Sequence, residues 1–279
     1  MDCKDVVESN NYNDAKEHSM SQEVASTINN YTELEDHVMS NFQKLNLPNV
    51  NVAEKILICL DVCYDDPNSM YRLGDGSTYT PIDMLKRVLD FFIHSKSAIN
   101  KRTEFALLIL KDDDSYFVQD FTNHTKDIIN AIDLVKSEES TKDNFDLQGI
   151  FETVADKIII PAYNEAKCLE PPPYVVRMLM VYARSNCLPT INVKNPYFEL
   201  LRKNPYLYID ILFAHEENCA LYKCEEVYDA LQDLDNGYSY VFEVSRNATK
   251  IHDCVAKLLA HPLQRPLQKN TDYSFPFKY

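Results

Sequence analysis

Tryptophan is absent from this chain, and glycine occurs only four times in 279 residues. So few glycines argue against a many-turned all-β fold and against loops that cradle phosphate. Neither G-x-G-x-x-G nor G-x-x-x-x-G-K-[ST] occurs, which removes the two commonest nucleotide-binding fingerprints. Positive charge is also short: 28 Lys and Arg stand against 43 Asp and Glu, a formal charge of −15. The basic residues are scattered singly or in pairs, so the chain repels phosphate backbones and anionic membrane surfaces. Direct contact with nucleic acid or membrane is not expected.

Long apolar runs are missing too. None approaches the roughly 18 residues that a membrane span requires. Met1-Asp2-Cys3-Lys4-Asp5 lacks the apolar core of a signal peptide. Eight cysteines without such a signal read as reduced thiols, which points to the cytoplasm and nucleus. Catalytic signatures are likewise not found: no H-E-x-x-H, no H-x-H, no G-x-S-x-G and no C-x-x-C. No catalytic residue is assigned, and the chain is not expected to be an enzyme.

What is present is a sizeable apolar fraction, 45%, distributed as alternating strand and helix patterns. Residues 1–50 are rich in Asn, Ser, Asp and Glu and read as a disordered acidic arm. Lys55–Leu60 is a continuous apolar run, as a parallel strand buried on both faces requires. Thr80 then suits a helix N-cap, Pro81 the first helical position, and Ile82, Leu85, Val88, Leu89, Phe92 and Ile93 recur at helical spacing. Phe105–Leu110 and Ser115–Phe121, joined by Lys111-Asp112-Asp113-Asp114, form a hairpin, so one edge strand runs antiparallel. Further helices are expected around Ile128–Val135, Leu147–Ile158, Pro196–Lys203 and Val227–Leu234. Strands are expected at Val175–Tyr182, Leu207–Ala214 and Tyr238–Val244. A last helix, capped by Asn247, runs through Leu259 and stops before Pro262. This order predicts one α/β domain over 51–261: a doubly wound, mostly parallel sheet with one antiparallel edge strand and helices on both faces.

Three clusters invite chemistry. The loop Asp61-Val62-Cys63-Tyr64-Asp65-Asp66 closes the first strand, where an open α/β sheet carries its site, and its carboxylates are suited to a hard cation. The plain alternative is a solvated loop. His215, Cys219 and Cys224 offer three ligands where structural zinc wants four, and buried cysteines often serve as small hydrophobes. No metal ligand and no cofactor is assigned. Pro171-Pro172-Pro173-Tyr174 has a P-P-x-Y form but runs into an apolar strand, so a stiff lead-in is expected rather than a ligand for an aromatic groove. The paired Asn195-Pro196-Tyr197 and Asn204-Pro205-Tyr206 read as turns flanking a short helix.

Beyond the final helix lies His261-Pro262-Leu263-Gln264-Arg265-Pro266. Its prolines stop the helix and bias the chain toward an extended form with little entropy left to lose. Leu263 offers an apolar anchor and Arg265 a charged donor, so 262–279 reads either as a docking tail or as a helix stop with a frayed end.

Several segments together carry a family resemblance: Lys55–Asp61, Glu104–Leu107, Pro171–Arg177, and above all Cys254–Pro266. The chain resembles the von Willebrand A-like small scaffold subunits of the BRISC and BRCA-A deubiquitinase complexes, the MERIT family, over about residues 50 to 275. The resemblance implies a von Willebrand A-like fold and a non-catalytic scaffold. It implies binding to a BRE adaptor built of ubiquitin-conjugating-enzyme-variant domains. Through that adaptor it implies association with an Abraxas-type scaffold and a JAMM zinc metalloprotease that cleaves lysine-sixty-three-linked ubiquitin chains. It assigns His261, Pro262, Leu263, Gln264, Arg265 and Pro266 to a groove of the adaptor. It also exposes a departure: an adhesion-type metal site reads D-x-S-x-S with a later Thr and Asp. Here Asp61, Cys63 and Asp65 fill the run, Asp143–Asp146 stands for the Thr, and Ala183–Asn186 carries no acid. The alternative function is a metal-dependent von Willebrand A ligand-binding module.

Overall fold

The computed structural model describes residues 47–66, 68–192, 194–217, 220–271 and 273. Most of the acidic arm expected at 1–50, as well as Cys219, lies outside them.

Six strands form the central sheet: β1 Ala53–Asp61, β2 Glu104–Leu110, β3 Ser115–Thr122, β4 Tyr174–Tyr182, β5 Leu207–Ala214 and β6 Val241–Val244. Their spatial order is β6-β5-β4-β1-β2-β3. All neighbours run parallel except β2 and β3, which pair antiparallel as the short turn demands. The doubly wound arrangement with one antiparallel edge strand is the one expected. β6 begins three residues later than its apolar pattern, because Asn236-Gly237 makes a turn with Gly237 at φ 86° and the Tyr240 N–H donates to Asp210 Oδ1.

Successive residues of β1 point to opposite layers. Ile56, Ile58 and Leu60 join a cluster with α1 (Pro81–Ile99), α2 (Thr125–Asp133) and α6 (Ala248–Lys257). Leu57 and Cys59 join another with α3 (Gln148–Lys157), α4 (Pro196–Arg202) and α5 (Cys224–Gln232). This two-sided burial is why the strands read as unbroken apolar runs. Two helix caps follow their sequence signals, Thr80 accepting from the Asp83 N–H and Asn247 from Lys250; Asn195, read as a turn residue, also caps its helix, accepting from Tyr197 and Phe198. Tyr174 is the first residue of β4 and its hydroxyl donates to the Ile159 carbonyl at 2.7 Å, so the proline run leads into the strand.

Three short ladders were not legible: Cys63–Tyr64 with Glu138–Glu139, Tyr71–Arg72 with Thr78–Tyr79, and Asn144–Asp146 with Leu188–Thr190. A third apolar cluster lies across the amino ends of the central strands, where Val52, Val175, Tyr206, Tyr208 and Leu263 meet, with Leu47 and Val50 packed against them. The chain is therefore already folded onto the domain at 47, inside the segment read as arm.

Candidate functional site

The segment after α6 does not leave the domain. Arg177, fully buried on β4, donates through Nη2 to the Leu258 carbonyl at 2.6 Å, and Lys96 Nζ lies 3.3 Å from the Leu259 carbonyl. Two cations thus meet the carbonyl end of α6, where the helix dipole favours positive charge and four carbonyls lack intrahelical partners. The chain then turns, and His261, Pro262 and Leu263 are all buried.

His261 sits between two backbone groups. Its Nδ1 accepts the Leu263 N–H at 3.1 Å, which leaves Nε2 to donate to the Val52 carbonyl at 3.2 Å. That arrangement needs the neutral ring, and burial holds its pKa below the ordinary value against the opposing pull of Glu54. Arg265 follows with a two-pronged contact: Nη1 lies 2.7 Å from Asp210 Oδ2 and Nη2 2.5 Å from Asp210 Oδ1. Its guanidinium carbon also lies 4.0 Å from the Tyr240 ring centroid. Asp210 is shared, since Arg177 Nε reaches the same carboxylate at 2.6 Å. Burial pushes the Asp210 carboxyl up, but Arg177 and Arg265 outweigh it and hold it below the usual range. Glu54, paired with Lys96 and 3.4 Å from Arg177, completes a buried network across β1, α1, β4, β5 and the tail.

The six residues assigned to partner binding therefore divide. His261, Pro262, Leu263 and the Arg265 guanidinium face the domain, the last with only 2% of its side chain exposed. Gln264 and Pro266 face solvent. The expectation that Arg265 donates to another chain meets a different arrangement here, because its charge already has a partner. Further along, the Gln268 carboxamide mimics a strand: Oε1 accepts the Val241 N–H at 2.7 Å and Nε2 donates to the Val241 carbonyl at 2.8 Å. It covers the start of edge strand β6. The residues missed by sequence reasoning are the acceptors of this clamp, Glu54 and Asp210. For Asp210 the available signal was a lone charge inside an apolar strand run, since such charges are seldom buried without a partner; Glu54, beside Lys55 ahead of its run, gave no such signal.

At the opposite end of the sheet, Asp61 closes β1 and is fully buried. Its Oδ1 accepts the Cys63 N–H at 3.2 Å, and its Oδ2 accepts the Ala183 N–H and Arg184 Nε, both at 3.0 Å. Burial raises its pKa despite Arg184. Asp65 accepts the Ser185 and Asn186 N–H groups, so it ties the first loop to the one after β4. A hard cation needs carboxylate oxygens with lone pairs turned inward. Here they already accept N–H donors, one of them a guanidinium, and the residues do not fit the adhesion-type metal. Among the described residues, no three His, Cys, Asp or Glu side chains are grouped to hold a metal ion. Of the trio His215, Cys219 and Cys224, Cys224 is buried at the start of α5, while His215 Nε2 lies 3.2 Å from Glu243.

Nucleophilic chemistry fares no better. Burial raises the thiols of Cys63, Cys187 and Cys254, and Cys59 is pushed up to about 12, so these are thiols and not thiolates at neutral pH. A cleft beside this end, lined by Ser69, Met70, Arg72, Leu221, Tyr222 and His252, has the Arg246–Glu216 pair at its floor. The Arg246 Nη1 also donates to the Ala214 carbonyl at 2.9 Å, so that guanidinium is held within the chain.

No family model matches the chain. Among curated proteins it is similar to "BRISC and BRCA1-A complex member 1" of Rattus norvegicus and of Homo sapiens. Each is 31% identical over 237 residues, covering 83% of this chain and 70% of the relative. The Xenopus tropicalis protein of the same name is 31% identical over 237 residues and is covered to 72%. Among solved structures the chain is similar to the SpRpn10 VWA domain, at 16% identity and a TM-score of 0.45, over 78% of this chain and all of that one. It is also similar to von Willebrand factor type A from Catenulispora acidiphila, at 8% identity and a TM-score of 0.45, over 76% of this chain and 43% of that one.

Proposed function

The chain belongs to the BRISC and BRCA1-A complex member 1 family, and from that premise we propose that it is a non-catalytic scaffold subunit of a deubiquitinase complex. In this reading it binds a BRE adaptor through the adaptor's ubiquitin-conjugating-enzyme-variant domains. The adaptor joins it to an Abraxas-type scaffold and to a JAMM zinc metalloprotease acting on lysine-sixty-three-linked ubiquitin chains, in cytoplasm and nucleus. The observation that carries the reading is the relatedness sustained over 237 residues.

The geometry of the tail supports a docking role with a division of labour. His261, Leu263 and Arg265 hold the segment against the domain, and the adaptor meets its outer side at Gln264 and Pro266. A segment already fixed has little conformational freedom to lose on binding, so modest contacts suffice. The buried thiols are consistent with chemistry residing in another chain.

The test is affinity capture of the full-length chain from its own cells, with mass spectrometry of what accompanies it, followed by reconstitution. Recovery of an adaptor and a metalloprotease, with cleavage of ubiquitin chains only when the metalloprotease is present, is the expected result. Chain cleavage by the purified protein alone, or capture without either partner, contradicts the reading.

A further inference from the structure

Arg184 joins the loops that an adhesion-type metal would join. Its Nε meets Asp61 at the end of β1, and its Nη1 lies 3.2 Å from Asp112 Oδ1, in the turn between β2 and β3. Asp112 in turn accepts the Ser140 hydroxyl at 2.9 Å, and the Thr141 N–H and hydroxyl at 2.5 and 2.9 Å. The guanidinium carbon stands 4.5 Å from the Phe145 ring centroid and 5.2 Å from that of Tyr182. One side chain, wholly buried, thus connects the loop after β1, the β2–β3 turn, the 140–146 segment and the end of β4.

We propose that Arg184 is a built-in cation: its guanidinium does the work of a divalent ion in holding these loops, so this end of the sheet is independent of metal. The chemistry at each position agrees. Where the metal pattern wants a serine hydroxyl, Cys63 supplies a buried thiol, and where it wants the later Asp, the loop after β4 supplies Arg184. A divalent ion entering beside Asp61 would have to displace the guanidinium, which would then lie buried without its carboxylate, a costly state. The planar fork also suits the task, since it contacts two carboxylates while its faces lie against aromatic rings. Of its three nitrogens only Nη2 lacks a hydrogen-bond partner among the described residues. Any partner that meets this face is therefore bound without a metal switch.

The experiment uses the full-length chain in a thermal-unfolding assay with Mg²⁺ or Mn²⁺ at about 5 mM, and with EDTA, beside direct calorimetric titration of each ion. The wild type is expected to show no heat of binding and a Tm that metal and chelator leave unchanged. Arg184→Ser removes the charge, adds a hydroxyl and leaves Asp61, Asp65 and Asp112 in place. Its Tm is expected to fall by about 10 °C, with part of the loss recovered in Mn²⁺. Arg184→Lys keeps a charge without the fork and is expected to lose less. A wild-type Tm that rises with metal and falls with EDTA overturns the proposal, as does an Arg184→Ser protein with the wild-type Tm or with no response to Mn²⁺. If that variant does not fold, the wild-type titration and the Arg184→Lys comparison decide alone.

Discussion

Two buried arginine–carboxylate networks sit at opposite ends of the same sheet, and they hold different things. At the amino ends of the strands, Glu54, Arg177 and Asp210 lie inside strands and gather Lys96, His261 and Arg265 around the close of α6. At the carboxyl ends, Arg184 gathers Asp61 and Asp112 and fastens loops. The first network fixes one segment in an extended, proline-flanked shape and leaves its outer side to solvent. The second fastens loops at the place where the adhesion-type pattern would put its metal. The contrast teaches that the same chemical pair can present a surface or retire one, depending on what it is tied to.

The comparison is broken most severely by removing the shared acceptor. Asp210→Ala leaves Arg177 and Arg265 buried without their carboxylate and is expected to destabilise the chain by about 3–5 kcal/mol in denaturant unfolding. A loss under about 1 kcal/mol would mean that the network is not a clamp. Arg265→Ala is milder because Arg177 still faces Asp210; about 2–3 kcal/mol is expected, together with loosening of the tail read by hydrogen exchange at Leu263 and Val241. For the same reason, deleting 261–279 is a poor test of docking, since it also removes Arg265 from Asp210.

A pH series sharpens the contrast further. His261 is neutral in the fold, with its pKa below the usual value of about 6.5. The unfolded chain therefore binds the additional proton, and stability falls as pH drops below about 6.5. Glu54, Lys96 and Arg177 are the charged groups that face this ring. His261→Gln, with an amide able to meet both backbone groups, is expected to flatten the slope between pH 7 and pH 5 in thermal unfolding. An unchanged slope would locate the titration elsewhere. The smallest effect on stability is expected from the outer side: Gln264→Ala leaves Tm within about 1 °C of wild type, because this side chain faces solvent.

Much of the fold was legible because both faces of the sheet are buried. Continuous apolar runs such as Lys55–Leu60 can then only be central strands, and Thr80 and Asn247 announce their helices by capping chemistry. The short ladders such as Cys63–Tyr64 with Glu138–Glu139 were not legible, since two-residue pairings carry no periodicity and depend on loops far apart in sequence. The tail was legible as a stiff segment, but its direction was not. Whether Arg265 points outward or inward depends on Asp210, 55 residues earlier, and on the register that sets Tyr208 beside Arg177. The role of Arg184 was hidden for the same reason. A sequence shows which hydroxyls and acids are missing from a metal pattern, but not which side chain has taken their place.

The most direct measurement of the scaffold account is calorimetric titration of purified adaptor into the full-length chain, wild type beside a Gln264→Arg, Pro266→Ala double variant. The account predicts saturable binding by the wild type and a loss of at least about tenfold in affinity for the variant, with Tm unchanged. Equal affinity for both proteins, or no binding by the wild type, would contradict it.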